Sequence, residues 1–107
     1  MNQTRKLARF FSALSDETRI QILDMLSAHG ELTVNEIRDI VGTSLPAISY
    51  QLRILSTADL VKYEKRGRKK FFRIADPHVK DILDEGLRHV GESQIVHEQN
   101  EHASETA

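Results

Sequence analysis

Four residues near the C-terminus are of types that bind metal ions. Asp76 and His78, then His89 and Glu92, flank the stretch DPHVKDILDEGLRHVGE. Two imidazoles and two carboxylates make a four-donor set suited to tetrahedral zinc. The stretch reads as one helix, because Val79, Ile82, Leu83, Gly86, Leu87 and Val90 recur at helical spacing. A helix turns about 100° and rises about 1.5 Å per residue, so His78 and His89 share a face but stand about 16 Å apart. Zinc–nitrogen bonds are about 2 Å long, so one helix cannot bring both onto one ion. Two antiparallel copies, paired about Leu83 and Asp84, can. Asp76 and His78 of one chain then face His89 and Glu92 of its partner, and twofold symmetry yields two identical sites. The plainer alternative is that His78 and His89 are ordinary surface histidines.

Such a site needs elements to carry it. NQTRKLARFFSAL places Leu7, Phe10, Phe11 and Leu14 at helical spacing. SDETRIQILDMLSAHG predicts a second helix, capped by Ser15 or Asp16, ended by Gly30, with Ile20, Ile22, Leu23, Met25 and Leu26 turned inward. ELTVNEIRDIVG predicts a third, with Thr33 and Glu36 as a capping box and Gly42 at its end. SLPAISYQLRILSTADL predicts a fourth, with Ser44 as N-cap and Pro46 in the first turn. LVKYEKRGRKKFFRI alternates about Arg66-Gly67-Arg68 and reads as a β-hairpin. The metal-ligand stretch is then the fifth helix. The expected fold is therefore mainly α with a β-hairpin: a winged helix-turn-helix of five helices, forming a homodimer through its terminal helices.

The middle of the chain points to double-stranded DNA. On the fourth helix Ile48, Leu52 and Leu55 face inward, whereas Pro46, Ser49, Tyr50 and Arg53 face out, where polar groups can reach base edges in a major groove. The hairpin adds Lys65, Arg66, Arg68, Lys69 and Lys70 as candidate phosphate contacts. The alternative for the basic run is a solvated hairpin that aids solubility.

ALSDETRIQILDML, ELTVNEIRDIVGTSLPAISYQLRIL and LVKYEKRGRKKFFRI together resemble the ArsR/SmtB family of bacterial metal-responsive repressors, over about residues 5–92. The resemblance implies a dimer that binds operator DNA without ligand and leaves it when metal binds. The spacing of Asp76, His78, His89 and Glu92 is similar to the C-terminal-helix zinc site of that family. Tyr50 stands where the family usually has histidine, and Asp59 occupies a place that relays the signal in relatives. The family's cysteine site in the third helix is absent, since Thr33 and Val34 stand there.

The 107 residues predict one domain over residues 1–92 and a flexible polar tail over residues 93–107. Residues 1–74 hold 13 Lys/Arg against 8 Asp/Glu, and residues 75–107 hold 2 against 8, which suggests a basic working surface and an acidic end. Without cysteine there are no disulfides, thiolate metal sites or thiol redox chemistry. No apolar run reaches the roughly 18 residues of a membrane span, so a cytoplasmic protein is expected. The leading expectation is a repressor released from operator DNA by Zn(II). An alternative responds to nickel or cobalt through added ligands His97 and His102, and another binds DNA without any metal. A metallohydrolase is not expected, because four protein ligands fill a tetrahedral site and leave no open position for water.

Overall fold

The computed structural model describes the backbone of residues 2–104 and the side chains of residues 2–91. In chain order the elements are α1 (Asn2–Leu14), α2 (Glu17–His29), β1 (Leu32–Thr33), α3 (Val34–Val41), α4 (Leu45–Thr57), β2 (Val61–Arg66), β3 (Lys69–Ile74) and α5 (Pro77–Ser104). Local capping explains where the helices begin. The Asp16 carboxylate accepts from the Arg19 N–H at 3.1 Å and opens α2. The Ser44 hydroxyl accepts from the Ala47 N–H at 3.2 Å and opens α4. Thr33 and Glu36 close a reciprocal capping box on α3, with the Thr33 N–H donating to Glu36 at 2.8 Å.

Helix ends are equally specific. Gly42 ends α3 in the left-handed conformation, with φ of 83°. The end of α4 uses no glycine. The Leu60 N–H donates to the Leu55 carbonyl at 2.9 Å and the Asp59 N–H to the Ser56 carbonyl at 3.0 Å. These two bonds form a Schellman motif with Asp59 at φ 60°, a conformation that short polar side chains tolerate best after glycine.

The sheet has three strands in the order β1-β3-β2, all antiparallel, where the sequence predicted only the β2–β3 hairpin. Leu32 pairs with Phe72 and Thr33 with Phe71. A two-residue strand carries no alternation to read, and its partner lies far along the chain. Its position does the work. Leu32 is buried on the core while Thr33 ends the strand and caps α3, so one dipeptide joins the sheet to the helix-turn-helix.

The core gathers Ile22, Leu23 and Leu26 of α2, Ile37 of α3, and Ile48, Leu52 and Leu55 of α4. Leu60, Val61 and Phe72 close it from the sheet side. Beyond Val61 and Phe72 the hairpin is largely solvent-facing, so it projects as a wing. The α5 stripe divides. Val79 and Leu83 are buried on the chain's own core, whereas Ile82, Leu87 and Val90 are exposed. The α5 helix also extends past Glu92, where the expected domain ended.

Candidate DNA interface and metal-ligand positions

The α3–turn–α4 unit presents one ridge to solvent. Pro46, Ser49, Tyr50 and Arg53 are all exposed, and Tyr50 is 58 % accessible although it is aromatic. They fall within roughly 60–100° of helix arc, opposite the buried Ile48, Leu52 and Leu55. The four positions read from the sequence therefore form one surface.

The orientation of α4 depends on a residue to which the sequence assigned no role. Arg19 is largely buried; its Nε donates to the Ala13 carbonyl at 2.6 Å and its guanidinium donates to Gln51 of α4 at 2.9 Å. The side chain thus ties the end of α1 to α4. A sequence signal did exist: a cation in the first turn of a helix opposes the helix dipole and needs another reason to be there.

On the wing, a turn with Gly67 at φ 63° joins β2 to β3. This fits a two-residue hairpin with glycine at the first central position. The register sets Lys65 opposite Lys70 and Arg66 opposite Lys69. Like charges facing across strands oppose sheet formation, and an anion laid across them relieves that cost. The five basic residues are not equivalent. Arg66 forms a forked pair with Glu31 at 2.8 and 2.9 Å, reaches Glu64 at 2.9 Å, and stacks over Phe71 at 4.5 Å. The Arg66 hydrogen bonds hold the Glu31 carboxyl below its ordinary range, and those carboxylates raise Arg66 further. The Lys70 ammonium sits 4.6 Å from the Tyr63 ring centroid. Lys65, Arg68 and Lys69 make no ion pair among the described residues. They stand beside Ser49 in a cleft of about 420 Å³ that also touches Lys70. Glu31 had no sequence signal, because its partner lies 35 residues away.

At the start of the last helix, Asp76 caps α5. One carboxylate oxygen accepts from the His78 N–H at 2.8 Å and the Val79 N–H at 3.3 Å. The same oxygen lies 3.3 Å from the His78 imidazole, so capping sets Asp76 and His78 side by side. His78 is exposed, and so is His89, which follows about 16 Å along the helix on the same face. Among the described residues no three acidic, histidine or cysteine side chains converge within one chain. The side chains of Glu92, His97 and His102 lie outside the described residues. Among the described residues no helix is long and apolar enough to cross a membrane.

Comparison with known proteins meets this geometry. Residues 16–63 match the model of the bacterial regulatory protein, arsR family. A transcriptional repressor SmtB homolog from Synechocystis is 39 % identical over 93 residues, covering 87 % of this chain and 70 % of the relative. A cadmium resistance transcriptional regulatory protein, a CadC homolog from Staphylococcus aureus, is 36 % identical over 83 residues, covering 78 % of this chain and 69 % of the relative. Among solved structures, the homodimeric winged helix-turn-helix DNA-binding domain of a possible ArsR-family regulator from Mycobacterium bovis superposes with a TM-score of 0.80 at 31 % identity, covering 85 % of this chain and 83 % of that one. The recognition ridge, the basic wing and these relatives agree: the chain belongs to the ArsR/SmtB family of winged helix-turn-helix transcriptional regulators, DNA-binding proteins and not enzymes.

Proposed function

We propose that this protein represses transcription as a homodimer on operator DNA and releases the DNA when Zn(II) binds between the subunits. In this reading α4 enters the major groove with Ser49 and Tyr50 toward base edges, Arg53 toward a base or phosphate and Pro46 against the groove, while Lys65, Arg68, Lys69 and Lys70 contact phosphates. Arg66 contributes mainly by bracing the wing on Glu31. The ions would be held by Asp76 and His78 of one chain with His89 and Glu92 of the partner subunit.

One observation carries the metal reading. The capping geometry holds a carboxylate and an imidazole together at one end of α5, with an exposed imidazole about 16 Å along the same face. The donors fit zinc: two come from each chain, they are nitrogen and oxygen, and no thiolate competes. Exposed apolar side chains supply the seam that would bring a second copy, with Leu7 and Phe11 on α1 and Leu87 and Val90 on α5 each about half or more accessible. The cadmium-resistance regulator and the homodimeric domain among its relatives support a metal effector and a dimer.

Release follows from geometry. Recognition helices of a dimer must reach half-sites about 34 Å apart, so a metal bridge that changes their relative pose weakens DNA binding. The test is operator affinity of wild type and His89→Ala at buffered free Zn(II), Co(II) and Ni(II). Zinc should weaken wild-type binding about 5–150-fold and leave the variant unmoved. Unchanged wild-type affinity in zinc sinks the zinc reading. A nickel or cobalt response that is lost when the chain is truncated at Ser93 would transfer the site to a set including His97 and His102.

A further inference from the structure

The recognition helix is flanked by two basic clefts, and the sequence foretold only the one on the wing side. The second lies between α1, the start of α2 and α4, with a volume of about 600 Å³. Its lining includes Arg9, Ser12, Arg19, Tyr50, Arg53 and Thr57, with three arginines and no acid. Arg19 is fixed in place by Ala13 and Gln51 and pairs with Asp16 at 4.0 Å, so its charge is partly balanced and the free cations of the cleft are Arg9 and Arg53. Arg9 and Arg53 are exposed and make no ion pair or hydrogen bond among the described residues. Arg53 stands on the dividing ridge, since it also lines the cleft toward Ser49, Tyr63 and Lys70.

A helix lying in the major groove is bordered by two sugar-phosphate strands, one on each side of a groove about 12 Å wide. The wing supplies cations on one side of α4, and the α1–α4 cleft supplies them on the other. We propose that the α1–α4 cleft binds a backbone phosphate of the other strand, with Arg9 and Arg53 as the cations and the Thr57 hydroxyl as a neutral donor. The inference rests on the reading of α4 as the groove-entering helix. Arginine suits the task, because its planar fork donates two parallel hydrogen bonds to a phosphate. Dimer formation would leave the cleft open. Arg9 lies about 160–200° around α1 from Leu7 and Phe11, the residues whose exposed apolar side chains await a second copy. The same short helix thus offers one face to a partner subunit and the other to DNA.

The experiment measures how the affinity of the full-length, metal-free protein for duplex DNA varies with salt, using a site selected from a random pool and a scrambled duplex. Arg9→Ala should lower the slope of log affinity against log salt by about 1 per bound protomer and weaken both duplexes alike, since a phosphate contact carries no sequence information. Arg9→Lys should restore most of the slope. If Arg9→Ala leaves the slope unchanged while Lys69→Ala lowers it, the DNA reading stands and the cleft proposal falls. If neither variant moves the slope, both fall. Inorganic phosphate probes the other source of the same chemistry. Thermal stabilisation by phosphate that Arg9→Ala abolishes, together with an unmoved DNA slope, would assign the cleft to a free anion and overturn the proposal.

Discussion

Asp76 has two functions that one substitution would confound. Its carboxylate caps α5 through the His78 and Val79 N–H groups, and under the zinc reading it is also a ligand. Asparagine caps as well as aspartate but brings no negative charge to an ion. Asp76→Ala should therefore lower the stability of the metal-free protein by about 1 kcal/mol, and Asp76→Asn by only a few tenths. Both should weaken zinc binding, by about 10-fold or more. Paired denaturation curves and competition titrations against a chelator separate the two effects. An asparagine variant that binds zinc like wild type would leave Asp76 as a cap alone. At this scale the shared face of His78 and His89 was legible, because it depends only on helical periodicity within one segment. The capping role of Asp76 was not read, although an acid just before a helix signals one. Arg19 and Glu31 were not legible, since their partners Gln51 and Arg66 lie 32 and 35 residues away and only the tertiary fold joins them.

The wing shows how an element can be foretold in type and still misread in support. Its alternation and its Gly67 turn are local, so the hairpin could be read directly. Its third strand and its brace are not local. Arg66 is held by Glu31 from the α2–β1 connection, which steadies the like-charged ladder Lys65–Lys70 and Arg66–Lys69 when no DNA is present. The Glu31 carboxyl titrates below the ordinary glutamate value of 4.5 when folded. A carboxylate with a depressed folded value adds stability that is fully present above the unfolded value and is lost as pH falls through the folded one. The stability gap between wild type and Glu31→Gln should thus be constant at neutral pH and close progressively below 4.5. Amide exchange on β2 and β3 should quicken in Glu31→Gln at neutral pH. Wing exchange identical in the two proteins would show that the pair does not brace this element. The stretch after α4 has a comparable logic: Asp59 is read best as the left-handed residue of a helix ending, a conformation no periodicity announces.

At the scale of the whole molecule, one apolar stripe on α5 serves two surfaces. Val79 and Leu83 complete the chain's own core, while Ile82, Leu87 and Val90 remain open. Periodicity cannot divide such a stripe, because a helix face looks the same whether its own core or a second copy covers it. Gly86 tests where the boundary lies. Among the described residues a Cβ built there meets nothing within 4 Å, so their packing does not require glycine. Alanine should add up to about 1 kcal/mol of helix stability within the subunit. If a partner helix packs closely there, Gly86→Ala should weaken dimerisation in sedimentation equilibrium; an equally strong or tighter dimer would place the seam elsewhere. The strictest whole-molecule prediction concerns coupling. In the proposed reading zinc and operator DNA bind different surfaces, so if zinc lowers DNA affinity by some factor, DNA must lower zinc affinity by the same factor. That factor should fall between about 5 and 150, and it should be measurable from either side of the cycle. Arg19 makes the cycle informative about structure, because it joins α1, an expected dimer element, to α4, the helix proposed to enter the groove, through Gln51. Gln51→Ala should keep zinc affinity in the absence of DNA but shrink the factor equally in both directions. A factor that stays intact would mean that the subunits reorient as rigid bodies, with the metal acting through the seam alone.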